Sequence, residues 1–127
     1  MNPAHSDERD FGEQPLAALL DFCGLTHHDL VEVSPEQLTH KQVQRASQGR
    51  RLTLKMKQKL ARTVNLAIWG RLTNDERENF QEYFPKHLFN YSKGFDAEKL
   101  NPNGDLVRGL AERPLRRDFL AELGKDR

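Results

Sequence analysis

Three threonines, each followed at the third position by an acid or an amide, punctuate this chain: Thr26 with Asp29, Thr39 with Gln42 and Thr73 with Glu76. In such a pair the hydroxyl accepts the amide three residues on, and the third side chain reaches back to the threonine amide, so each pair marks a helix start. A fourth threonine, Thr53, opens the longest amphipathic stretch, and Gly24, Gly49 and Gly70 stand where helices should stop. A chain cut this regularly by starts and stops is committed to short helices packed on one another. No period-two alternation competes with that reading, and the fold class expected is all-α.

The apolar positions say which face of each helix turns inward. Pro15 suits a first helical turn, and Leu16, Leu19, Leu20 and Cys23 recur at helical spacing before Gly24. A second helix is expected from about His27 to Val33, closed by Ser34 and Pro35, with Gln37 reaching back to Ser34 to open a new turn. Leu38, Val43 and Ala46 face inward on a short helix ending at Gly49. Met56, Leu60, Val64, Ala67 and Ile68 form the stripe of a longer one ending near Trp69. Beyond Thr73, the spacing of Phe80, Tyr83, Phe84, Leu88 and Phe89 predicts a helix, straight or kinked at Pro85, to about Tyr91. The NPNG at 101–104 reads as a turn, and a last helix is expected over Pro114 to Leu123. Residues 1–13 lack periodicity and are expected to be a mobile arm.

Charge is distributed far from evenly. The whole chain carries a formal +1, yet between Gln37 and Asn74 there is no acid and nine bases: Lys41, Arg45, Arg50, Arg51, Lys55, Lys57, Lys59, Arg62 and Arg71. The segments before, within and after this stretch sum to −7, +9 and −1. Such a block, threaded with Thr, Gln and Ser and broken by regular apolar residues, is the footprint of a folded nucleic-acid-binding element.

The ordered succession GLTHHDL at 24–30, LTHKQVQRASQGRR at 38–51 and TLKMKQKLARTVNL at 53–66 resembles the lambda-repressor-like (Cro/CI, XRE) helix-turn-helix family. The resemblance covers residues 15 to 69, about half of the chain. It implies a helix-turn-helix bundle over residues 14–72, duplex DNA as partner, and a recognition helix at about 40–48. Residues 73–127 would then be an added helical region able to support a homodimer. The chain departs from the family at the SPEQ of 34–37, where the connection from Leu30 to Leu38 is about two residues longer than the usual tight turn.

The residues make the same case on physical grounds. A helix in the major groove needs long polar side chains near its start, and His40, Lys41, Gln42, Gln44 and Arg45 are candidates for base edges. Arg50, Arg51, Lys55 and Lys57 are candidates for phosphates, joined by the capped helix starts at Thr26, Thr39 and Thr53. The function expected is sequence-specific DNA binding by a transcriptional regulator. The alternative is a helical protein-interaction module, antitoxin-like or an adaptor, whose basic face meets an acidic partner.

Other chemistries find little footing. His27, His28, Asp29 and Glu32 are better read as capping and surface groups than as metal ligands, and no metal or cofactor is expected. There is no phosphate-binding glycine loop, nucleophile elbow or paired carboxylate with a base, so an enzyme is not expected. The aromatics after residue 80 suit a core or a dimer interface. Cys23, the only cysteine, reads as a buried small hydrophobe, in keeping with a reducing cytoplasm. No apolar run approaches the ~20 residues needed for a membrane span.

Overall fold

The computed structural model describes residues 11–92, 94–113, 115 and 119. Among them the chain is all-α, with no strand. Four helices build the first half: α1 (Pro15–Cys23), α2 (His27–Val33), α3 (His40–Gln48) and α4 (Leu54–Trp69). Three short ones follow, α5 (Asn74–Glu78), α6 (Pro85–Leu88) and α7 (Ala97–Leu100), and then 3-10 turns at Gly104–Val107 and Leu110–Glu112.

The starts form as their side chains dictate. Thr26, Thr39 and Thr73 each accept the amide three residues on, while Asp29, Gln42 and Glu76 each accept the threonine amide in return. Thr53 accepts the Met56 amide at 3.2 Å. Gly24 and Gly49 end α1 and α3 in the left-handed conformation, which costs glycine nothing. Gly70 differs. Its backbone is right-handed, and a Cβ there would lie 2.6 Å from the Phe119 ring, so close packing rather than the turn demands glycine.

One core joins the two halves. Leu16, Leu30, Leu60, Val64 and Ile68 are fully buried together with Leu88, Val107 and Leu110 from the C-terminal region. Each such side chain contributes about 1.5–3 kcal/mol relative to exposure. Helix α2 packs on α3 and α4, while α1 packs on α3, α6 and α7.

Two local expectations change. The turn at Pro35 does not become helical. The Ser34 hydroxyl accepts the Glu36 amide at 3.2 Å instead, and Gln37 adopts a left-handed φ of 53°. The helix after Thr73 stops at Glu78, and residues 79–84 run without helix to α6. Asn65 and Asn103 explain this, since each bonds both the amide and the carbonyl of one residue, Tyr83 and Gln81 respectively. Those backbone groups are therefore satisfied by side chains, and a helix has nothing further to offer them. Of the last expected helix, most of Pro114 to Leu123 lies outside the described residues, as do residues 1–10 of the expected arm.

Candidate nucleic-acid interface

Three of the nine bases serve the fold. Arg71 is buried, donating to the Ala67 and Arg113 carbonyls and, at 3.3 Å, to Asp29. Burial weakens its hold on its proton, and the Asp29 and Glu32 carboxylates act the other way. Arg62 forms a two-armed bridge to Glu36 at 2.8 and 2.6 Å, which holds that carboxyl below its usual range. Lys59 donates to the Gln37 carbonyl at 3.1 Å. The last two stitch the longer α2–α3 connection onto α4 from outside.

Lys41, Arg45, Arg50, Arg51, Lys55 and Lys57 remain, and none forms an ion pair among the described residues. They run along α3, through the turn after Gly49 and onto the first turns of α4. On α3 the residues Val43, Ala46 and Ser47 are buried, while His40, Lys41, Gln44, Arg45 and Gln48 are exposed. The helix therefore turns an apolar face inward and a continuous row of long polar side chains outward. That outer face is covered neither by the 34–37 connection nor by the described part of the C-terminal region.

The remaining candidates are placed as follows. Gln42 is half-buried, and its Oε1 accepts the Thr39 amide at 3.0 Å. The cap occupies one lone pair of that oxygen and holds the side chain back toward Thr39, which leaves the NH2 and one lone pair for another partner. Thr26 and Thr39 have both amide and hydroxyl committed to capping, and Thr26 in addition sits against the Asp29 carboxylate. The amides that open α3, those of His40 and Lys41, precede the first intrahelical bond, from the Val43 amide to the Thr39 carbonyl. His28 on α2 and His40 on α3 stack with ring centroids 5.7 Å apart, bringing the two helix starts together.

Several residues that shape this face escape sequence reasoning. Phe11 donates its amide to the Gly49 carbonyl at 2.9 Å, and Gln14 donates its amide to the Ser47 carbonyl at 3.0 Å, so the chain before α1 lies along the end of α3. Arg51 sits over the Phe11 ring at 5.8 Å, and Lys57 over the Tyr91 ring at 5.1 Å. No local pattern around Phe11 or Tyr91 signals these contacts.

Among the described residues no helix is long and apolar enough to cross a membrane, and no group of three or more His, Cys, Asp or Glu side chains is placed to hold a metal. In comparison with known proteins, no family model, no curated protein and no solved structure matches this chain.

Proposed function

We propose that this protein is a sequence-specific duplex-DNA-binding protein, a transcriptional regulator in which α2 and α3 act as a lambda-repressor-like helix-turn-helix. The observation that carries the reading is the uncovered outer face of α3, presenting His40, Lys41, Gln44 and Arg45 from one capped helix beside a turn with two free arginines. In this reading α3 lies in the major groove and its long side chains meet base edges. Arg50, Arg51 and Lys55, together with the opening amides of α3, meet phosphates on the flanking backbone. Two copies on adjacent half-sites belong to the proposal, because one short helix supplies few base contacts. Tyr83 and Phe89 are buried within the chain, which leaves Phe84 and Phe95 as the exposed aromatics for that pairing.

Binding of the full chain to duplex DNA across a salt series tests the reading. Affinity should fall steeply as salt rises, with a logarithmic slope of about −0.9 for each phosphate neutralised. A flat salt dependence, or no binding at low salt, rejects it. Arg45→Ala should relax sequence preference at one position at a cost of about 1–3 kcal/mol, while Lys55→Ala should weaken all sequences alike and reduce the slope by about one.

A further inference from the structure

The turn carrying Arg50 and Arg51 belongs locally to α3 and α4, yet a residue from far along the chain holds it. The Tyr91 hydroxyl accepts the Leu52 amide at 3.1 Å, across 39 residues of sequence, and lies 3.4 Å from the Arg50 carbonyl, to which it donates. One hydroxyl thus satisfies backbone groups on both sides of Arg51.

The Tyr91 ring is itself seated. It lies 5.0 Å from the Phe11 ring, centroid to centroid. Gln14, fully buried, ties the two neighbouring chain segments together by donating to the Gly12 carbonyl at 3.0 Å and accepting the Asn90 amide at 2.6 Å. Above these rings lie two of the free cations, Arg51 over Phe11 at 5.8 Å and Lys57 over Tyr91 at 5.1 Å. A guanidinium or ammonium resting on a ring face is attracted by the ring's negative face while its N–H groups remain available to a second partner.

We infer that Tyr91 is a positioning residue for the phosphate-binding turn: its hydroxyl fixes the backbone of Arg50 to Leu52, so that Arg50 and Arg51 are already in place before nucleic acid arrives. The inference rests on the DNA-binding reading above and assigns to the C-terminal region a part in that same site. Its physical basis is that an arginine on an unheld turn must be ordered on binding, and ordering a long side chain together with its backbone subtracts from affinity.

Tyr91→Phe removes the hydroxyl and keeps the ring. Duplex-DNA affinity should fall about fivefold at fixed salt. A merely structural role would also lower affinity, so the deciding measurement is a double-mutant cycle. Arg51→Ala should cost clearly less affinity in the Tyr91→Phe background than in the wild-type chain, whereas Arg45→Ala should cost the same in both. If Tyr91→Phe does not fold by circular dichroism, hydrogen exchange of the Leu52 amide in the folded wild-type chain decides instead: slow exchange before DNA is added is expected, and exchange at the unprotected rate overturns the inference. Additive losses at Arg51 overturn the inference and leave the DNA-binding reading intact. A wild-type chain that binds no DNA overturns that reading itself.

Discussion

The side chain of Asn65 grips the backbone of Tyr83 on both sides of one residue: its Nδ2 donates to the Tyr83 carbonyl at 3.0 Å, and its Oδ1 accepts the Tyr83 amide at 2.7 Å. Tyr83 is 1% exposed, so both of these backbone groups lie away from water. Asn65→Ala leaves them without partners and should destabilise the chain by about 2 kcal/mol or more. A lower midpoint of urea unfolding with an unchanged slope is the expected observation. A variant within about 0.5 kcal/mol of wild type, the size of an ordinary surface change, contradicts it.

Gly49 combines a φ of 104° with close approach, since a Cβ there would lie 2.0 Å from the Gly12 carbonyl oxygen. Gly49→Ala therefore meets both backbone strain and a collision that only separation of residues 11–12 from α3 can relieve. The expected loss is about 1–3 kcal/mol, with faster hydrogen exchange of the Phe11 amide, which bonds to Gly49. Gly12→Ala is the control: it has a positive φ and no neighbour within 4 Å of a Cβ, so it should cost less.

Glu76 supplies a pH dependence. The Arg113 guanidinium beside it, helped by the Thr73 amide, holds its carboxyl at about 2 rather than the ordinary 4.5. A depressed carboxylate contributes stability that is complete above the unfolded-state value and is lost as pH falls through the folded one. The difference in melting temperature between wild type and Glu76→Gln should thus be constant above pH 4.5 and shrink on going down toward 2. Glutamine keeps the capping acceptor, so the pair with Arg113 is what the comparison reads. Both side chains are partly exposed, at 24% and 42%, and the contribution should be about 1 kcal/mol or less. A difference that persists unchanged into acid contradicts the assignment.

Cys23 is fully buried on α1, and burial pushes its thiol up to about 12. The thiolate is the reactive form. At mildly alkaline pH the native chain should resist thiol reagents, and labelling should proceed only as fast as the helix opens. Rapid labelling of the native protein, at the rate of the denatured chain, contradicts the burial of this face of α1.

What could be read from the sequence is what is local. The limits of α1 to α4, the threonine caps of α2, α3 and α4, and the inward faces of all four depend on hydrogen bonds and side-chain spacings within about one helical turn, so Thr39, Gln42, Val43 and Ala46 declare α3 on their own. The acid-free stretch is equally a property of the chain alone. Tertiary structure decided which of its charges remain available: Arg62 meets a carboxylate 26 residues away, and Arg71 one 42 residues away. The aromatics from Phe80 onward have helical spacing, but Asn65, 18 residues back, takes the Tyr83 backbone out of any helix. Tyr91 reaches the arginine turn across 39 residues. Partners this distant meet only when the core closes, because loop closure between them is unfavourable until buried apolar surface offsets it. The sequence by itself therefore determined α1 to α4 and the charge they carry, and the closing of the core determined the shorter elements after Thr73, which of those charges face outward and how the turn between α3 and α4 is held.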